Sequence, residues 1–368
     1  MLNRFLFMLG VVSLCGWISA ATAPAPTDPV GIHVTGPYAS GNLTVYLVHG
    51  PNLLGDKKYL TLAEGLEQKK VIVHEKQQVN ELSVENLSDQ DLYVQAGEIV
   101  KGGQQDRTLG TDMVLAPRSG NVSILAHCVE HGRWTRRGDE AEAKFEAAPN
   151  ALASKDLKKA NYANDQQKVW DSVGVEQAQL ASNARLVTGK PVAPSSSPTS
   201  LELTEEDKTI TSAAATYEKE LPIKPETSAD VIGFVFAING KLNSGDVYAS
   251  PDLFAKMYPK LLHAAALEAV AERDANGKHD YDLPKPAAVE AMLNAVNAAK
   301  PIQLVVDAGT MEEDLNQQLN LPKSGLTKSA ETHNRAVVVK KEAGQMELYE
   351  THDIDSKADF LHRAYLTK

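Results

Sequence analysis

Two histidines and a glutamate in the middle of the sequence have a spacing that suits a metal site. His127, Glu130 and His131 form the pattern H-x-x-E-H. In inverted zinc peptidases, two such imidazoles bind zinc and the glutamate acts as general base. The pattern requires a helix, because only a helix places residues four apart on the same side. A zinc-dependent hydrolase is therefore one interpretation of this stretch.

The residues around the pattern favour a strand instead. Val122 to Leu125 include strand formers, and Gly132 would weaken a helix directly after the second histidine. On a strand, alternate residues share a face, so Cys128 and Glu130 point to one side and the two histidines to the other. The glutamate then faces away from the metal. We therefore assign no metal ligand and no cofactor to this sequence.

A thiol-dependent hydrolase is a second enzymatic interpretation, with Cys128 as the nucleophile. His127 and His131 lie close to this cysteine, but catalytic pairs usually meet through the fold and not as sequence neighbours. Cys15 lies in an N-terminal apolar run that we expect to be removed, so Cys128 has no intramolecular disulfide partner. We expect a buried, unreactive thiol, and a zinc- or thiol-dependent hydrolase is the alternative to a non-catalytic domain.

The second dense group of polar residues lies between Gln95 and Leu109, in the stretch QAGEIVKGGQQDRTL. Gly102 and Gly103 permit a tight turn or a close approach of the backbone. The stretch is not a phosphate loop, because the spacing G-x-x-x-x-G-K-[ST] is absent from it. Taken alone, it is typical of a solvated turn between two strands.

The N-terminus is typical of a secretory signal peptide. A short basic start ends at Arg4, an apolar run follows from Phe5 to Ile18, and Ala21-Thr22-Ala23 fits the small-x-small pattern before a cleavage site. The apolar run is short for a membrane-spanning helix. We expect residues 1–23 to be removed and the remainder of the chain to be secreted or periplasmic.

The charge of the chain narrows the classes of partner. The sequence carries 37 Lys and Arg against 48 Asp and Glu, a net charge of −11. This negative charge argues against binding to nucleic acid or to an anionic membrane surface. No apolar run after the signal is long enough to span a bilayer. The classes of partner that we still expect are a small anionic ligand and a protein. The identity of the partner is left open.

Local patterns predict an α+β fold with three parts. A β-rich N-terminal half is followed by a helical middle segment and, after a linker, by a smaller mixed α/β C-terminal part. We expect them to form a single domain over residues 24–368. The segments are, in chain order, β-rich 30–134, helical 135–186, linker 187–204 and mixed α/β 205–368.

Three short signals predict individual elements. Thr61 and Glu64 have the spacing of a capping box, which predicts that a helix begins there. Asn239-Gly240 directly follows an apolar run, which predicts a β-hairpin. Ser250 followed by Pro251 predicts the start of a second helix, with the serine as its N-cap.

Two polar stretches together resemble one protein family. G-E-I-V-K-G-G-Q-Q-D-R, and C-V-E-H-G-R-W some twenty residues later, are similar to motifs of the domain associated with ADP-ribosylglycohydrolase and rhodanese-phosphatase proteins, a domain of unknown function. Tyr59–Leu66, Gln166–Trp170 and Val231–Val270 are also similar to this family, so the resemblance covers most of the chain after the signal. The family commonly has glutamine at the position of His131, which implies that the zinc pattern arose from a single substitution.

The resemblance implies a candidate ligand site built from both motifs. Arginine side chains clamp carboxylate or phosphate groups, and a tryptophan ring stacks on a planar group or a sugar, so we expect an anionic or nucleotide-like ligand. The other interpretation is an internal salt-bridge network that joins the arginines to the glutamates. We expect an exported, non-catalytic binding or structural domain. The candidate site residues are Glu98, Gln105, Asp106, Arg107, Glu130, Arg133 and Trp134.

Overall fold

Strands and helices are both spread along the described part of the chain. The structure is a computed structural model, and the residues it describes are 31–76, 80–131, 145–192, 199–221, 224–225, 228–274, 280–306 and 334–368. The predicted α+β fold class is confirmed, with a β-rich N-terminal half and helices in the middle. The predicted signal peptide lies outside the described residues.

The elements within these ranges have the following bounds. The strands are β1 (His33–Ser40), β2 (Leu43–His49), β3 (Leu60–Thr61), β4 (Val71–Glu75), β5 (Glu81–Asn86), β6 (Leu92–Val94), β7 (Glu98–Gly102), β8 (Arg107–Leu109), β9 (Met113–Leu115), β10 (Gly120–Cys128), β11 (Phe145–Leu152), β12 (Val231–Ile238), β13 (Lys241–Tyr248), β14 (Pro301–Val306), β15 (Ala336–Ala343), β16 (Met346–Asp353) and β17 (His362–Thr367). The helices are α1 (Leu62–Glu67), α2 (Lys155–Tyr162), α3 (Gln166–Thr188), α4 (Leu201–Glu205), α5 (Lys208–Glu220), α6 (Pro251–Ala271) and α7 (Pro286–Asn297).

An eight-stranded antiparallel sheet joins the first and last thirds of the chain. Its strand order is β1-β2-β12-β13-β17-β16-β15-β14, so the N-terminal hairpin pairs directly with β12. The hairpin of β12 and β13 turns at Asn239-Gly240, as predicted. β12 is buried along its whole length, which explains why its apolar residues run without interruption in the sequence.

The polar stretches lie in the larger of two further sheets. A six-stranded sheet has the order β11-β7-β8-β10-β5-β4, and a small sheet has the order β3-β6-β9. Apolar side chains from β4, β5 and β10, among them Val73, Val84 and Ile124, pack in one core. Because β10 runs to Cys128, the stretch around His127 is a strand, as its neighbouring residues predicted.

The predicted helix starts are confirmed at α1 and α6. At α6, the Ser250 hydroxyl accepts a hydrogen bond from the Leu253 N–H, and Pro251 occupies the first turn. At α1, Thr61 and Glu64 form both hydrogen bonds of a capping box. Helix α6 packs against α3, α5 and β12, so it links the helical segment to the eight-stranded sheet.

Some elements differ from the sequence-based prediction. β11 lies inside the segment predicted to be helical, because its alanine-rich sequence lacks a strand pattern and pairing with β7 sets its conformation. Helix α4 overlaps the end of the predicted linker, where Ser200 accepts a hydrogen bond from the Leu203 N–H. The sequence also did not indicate β16 or β17. Within the described ranges, no helix combines the length and apolar character needed to cross a bilayer.

Candidate functional site

The glycine-rich polar stretch forms the turn between β7 and β8. Gly103 has a φ of +56°, in the left-handed region, and a Cβ atom there would lie 2.5 Å from both Glu75 Oε2 and Phe145 Cζ. Both the backbone conformation and the space therefore require glycine. The tight turn places the residues that follow it, from Gln105 onwards, beside the end of β10.

Arg107 lies fully buried at the start of β8. Its Nη2 forms an ion pair of 3.2 Å with Glu75 Oε1 on β4, and its Nη1 donates to the Gln105 carbonyl at 3.0 Å. The Glu75 carboxylate also accepts from the Gln104 N–H at 3.2 Å. The arginine and Glu75 therefore hold the turn against β4, a pairing that the sequence did not indicate.

The remaining polar side chains of the turn bond to neighbouring backbone. Asp106 Oδ1 accepts from the Gly102 N–H at 2.8 Å, and the Asp106 N–H donates to Glu130 Oε2 at 3.0 Å. Gln105 Nε2 donates to the Glu130 carbonyl at 3.3 Å. These side chains are at most 5% exposed. The structure thus brings Gln105, Asp106, Arg107 and Glu130 together, as the candidate site requires.

A third motif segment, at the start of α3, completes the arrangement. The Gln166 side chain accepts from the Cys128 N–H and donates to the Cys128 carbonyl, both at 2.9 Å. One turn later, the rings of Trp170 and His131 meet edge to face, with centroids 4.8 Å apart. We call residues 102–107, 128–131 and 166–170 the motif junction.

The two histidines of the H-x-x-E-H pattern do not lie on a helix, because β10 ends at Cys128 and a bend follows. His127 Nε2 donates to Asn164 Oδ1 at 3.2 Å, whereas His131 contacts Trp170. Burial lowers the pKa of His127 and so favours its neutral form. Among the described residues, no group of three or more His, Cys, Asp or Glu is arranged to hold a metal ion.

The environment of Cys128 is that of a structural thiol. The side chain is fully buried. Burial raises the pKa of Cys128, and this effect outweighs the opposing influence of Arg107. Because the thiolate is the nucleophilic form, a raised pKa works against the thiol-dependent interpretation.

Glu98 lies apart from the motif junction, although it belongs to the same polar stretch. Its Oε1 forms an ion pair of 2.5 Å with Lys260 Nζ on α6, and its Oε2 accepts from the Gln95 N–H at 2.8 Å. Glu98 and Lys260 are 1% and 6% exposed. The sequence-based interpretation grouped Glu98 with the arginines, whereas in the described part of the chain Glu98 pairs with Lys260. Arg133 and Trp134 lie outside the described residues.

A further set of buried ionisable side chains surrounds His362. His362 on β17 donates from Nδ1 to Asp112 Oδ2 at 2.8 Å and from Nε2 to Asp246 Oδ1 at 3.0 Å. Lys158 Nζ on α2 lies 3.3 Å from Asp246 Oδ2. Burial disfavours the charge on His362, but Asp112 and Asp246 outweigh it and raise the pKa of His362 to about 9. The histidine is therefore held as an imidazolium at neutral pH.

These groups balance one another in charge. We call Glu98, Lys158, Lys260, His362 and the two aspartates the central ion network; it holds three acidic and three basic side chains. Gln95 connects its parts, since its side chain donates to Asp246 Oδ1 at 3.1 Å. The network joins β7, the small sheet and the eight-stranded sheet to α2 and α6. Sequence patterns did not reveal it, because its members are spread over the whole chain.

Two cavities lie away from the motif junction. One of about 490 Å³ opens beside Tyr38, His49 and Leu221. Another, of about 220 Å³, lies among α2, α3 and α6 and is lined by Glu176 and Glu268, among others. The described candidate site residues line neither cavity, because their side chains are enclosed between strands.

The described geometry defines an α+β domain whose polar motifs meet in a buried junction. The family model described as ARPP-1, the ARG and Rhodanese-Phosphatase-superfamily-associated Protein domain, matches residues 31–341. The chain belongs to this family, as its motifs predicted. No curated protein and no solved structure gives a significant match to the chain.

Proposed function

We propose that the protein is an exported, non-catalytic domain in which the motif junction is a structural framework. The observation that carries this proposal is the double hydrogen bond between the Gln166 side chain and the Cys128 backbone, which joins two motifs 38 residues apart. Gln166 is part-buried, and a polar side chain that satisfies the backbone groups of another segment typically specifies architecture. The signal-like N-terminus supports export.

The framework is tested by removing one side chain from it. Gln166→Ala leaves the Cys128 N–H and carbonyl without these partners, so we expect the free energy of unfolding to fall by about 1–3 kcal/mol. Gln167→Ala is the matched control, because the neighbouring Gln167 is exposed and bonds to Asp171 within its own helix. Urea unfolding measures both variants. Equal stability of the two variants would contradict a structural role for the motif.

The binding role that we propose rests on Arg133 and Trp134. Arg133 and Trp134 lie two and three residues after His131 in the sequence, just beyond the 128–131 segment of the motif junction. The guanidinium group suits an anionic group of a ligand, and the indole ring suits a planar group or a sugar. Arg107 and Glu130 then belong to the framework and do not contact the ligand.

Native and denaturing mass spectrometry of the mature protein, purified without chelator, tests this binding role. We expect a mass excess that matches an organic anion, and we expect Arg133→Ala to lose it. Arg118→Ala is the control, because Arg118 is exposed, pairs with Asp89 and precedes β10 at the end opposite to Cys128. An activity that disappears in Cys128→Ser would instead favour the hydrolase alternative.

A further inference from the structure

The cavity of about 220 Å³ is unusually rich in carboxyl groups. It opens where α2, α3 and α6 meet. Its acidic lining residues are Asp156 on α2, Asp171 and Glu176 on α3, Glu268 on α6, and Glu272 at the end of α6. Like charges in one cavity repel, which favours the neutral form of some of these groups.

Glu176 and Glu268 are the two carboxyl groups buried between the helices, each only 7% exposed. Glu176 Oε2 accepts from the Ser154 hydroxyl at 2.7 Å. Ser154 is the N-cap residue of α2, yet its side chain makes no capping bond to α2. Glu268, on α6, lines the same cavity. Glu176 thus joins α3 to the start of α2 through Ser154, and Glu268 adds a second buried carboxyl group from α6.

The electrostatic surroundings favour the protonated form of both groups. Burial, followed by the charges of Asp156 and Glu272, raises the pKa of Glu176 to about 7 against the hydrogen bond from Ser154. Burial, with Glu176 and Glu272, raises the pKa of Glu268 to about 8. Neutral carboxyl groups can donate as well as accept hydrogen bonds, so the protonated pair suits a closely packed site.

The other elements around the cavity add charges of both signs. Lys158 on α2 lowers the pKa of Glu268, but it is already paired with Asp246. Lys155 on α2 and Lys241 on β13 act on Glu272 at the rim, where burial still raises the pKa. On α4, burial and the neighbouring carboxylate of Glu202 raise the pKa of Glu205 well above its ordinary value. The basic groups therefore do not neutralise the buried pair.

We propose that Glu176 and Glu268 form a proton-dependent latch, in which the two protonated carboxyl groups allow α3 and α6 to pack closely at the start of α2 and their ionisation loosens this packing through repulsion among the carboxylates of the cavity. The inference is independent of the proposed binding role, because none of the latch residues belongs to the motif junction. It makes the packing of α3, which also carries Gln166, responsive to pH.

The direction of the pH effect follows from the proton balance. In the native state these carboxyl groups keep protons that the unfolded chain releases above pH about 4.5. Each extra proton held by the native state makes the unfolding equilibrium constant rise about tenfold per pH unit. The latch is therefore fully closed near pH 5 and is lost as the pH rises through the native pKa values of about 7 and 8.

Urea unfolding of the mature chain between pH 5.5 and 8.5, followed by far-UV circular dichroism, tests the latch. Glu176→Gln and Glu268→Gln keep the shape of the protonated group at every pH. In the parent, each of the two groups makes the unfolding equilibrium constant rise by up to about tenfold per pH unit. We expect each glutamine variant to lose the contribution of its own group. We also expect each variant to be more stable than the parent at pH 8.5. Glu67→Gln, at an exposed position on α1, should leave the pH dependence unchanged.

Two results would overturn the proposal. Glutamine variants that keep the parent's pH dependence would show that the carboxyl groups do not hold the protons. Variants that are less stable by the same factor at every pH would show a packing role alone. The unsubstituted protein supplies a second measurement: calorimetric unfolding at pH 5.5 in buffers of different ionisation enthalpy should show a net release of at least one proton, and a net uptake would refute the latch.

Discussion

Removal of the Lys260 ammonium group should strongly destabilise the protein. In Lys260→Met, the Glu98 carboxylate stays buried at 1% exposure and keeps one described hydrogen bond, from the Gln95 N–H. An uncompensated buried charge costs about 3–5 kcal/mol when its partner is removed. The double variant with Glu98→Gln removes both charges, so we expect the two substitutions to be coupled by about 2 kcal/mol.

The control for this cycle lies one turn earlier on the same helix. Lys256 is 26% exposed at its side chain, pairs with Glu64 and donates to the Tyr59 carbonyl, so Lys256→Met should cost about 1–2 kcal/mol. Urea unfolding at neutral pH gives all four free energies. If Lys260→Met costs no more than this control, or if the two substitutions in the cycle are additive, the ion pair is not the role of Glu98. A ligand contact would then be the better explanation.

Three further outcomes follow from the structure. Gly103→Ala should cost about 1–3 kcal/mol in urea unfolding, more than Gly55→Ala, because Gly55 shares the positive φ but has open space around it. His131→Gln should leave the metal content unchanged and cost at most about 1 kcal/mol through the lost contact with Trp170; loss of zinc would restore the peptidase interpretation. His362 should contribute about 3 kcal/mol that is present below pH 6.5 and lost as pH rises through about 9, and a parent and His362→Gln with parallel pH profiles would contradict this.

Local signals in the sequence predicted the elements that local interactions determine. The Thr61 capping box, the Asn239-Gly240 turn and the Ser250 N-cap each depend on residues within a few positions, and each forms as predicted. β17 was not indicated because His362 and Arg363 interrupt its apolar pattern. Both are buried, and their charges are matched by distant partners that no local rule identifies.

The grouping of the candidate site residues was predicted only in part, because some of their partners are distant in the sequence. Gln105, Asp106 and Glu130 meet because β8 and β10 are neighbours, a pairing that short connections make probable. The partner of Arg107 is Glu75, on a strand with no distinctive motif. Glu98 belongs to the same motif but bonds to Lys260, 162 residues later in the chain. Family motifs thus identified where the junction lies, but not which charge neutralises which.

The position of His362 also constrains the order in which the protein can assemble. β17 is formed late in the chain, yet it lies in the interior of the eight-stranded sheet, between β13 and β16. Its histidine bonds to Asp112, 250 residues earlier, and to Asp246, 116 residues earlier. In a chain that emerges N-terminus first, Asp112 and Asp246 have no shared cation until residues 362–367 arrive. Contacts of such long separation form slowly, so the eight-stranded sheet closes around these aspartates only after β17 has been made.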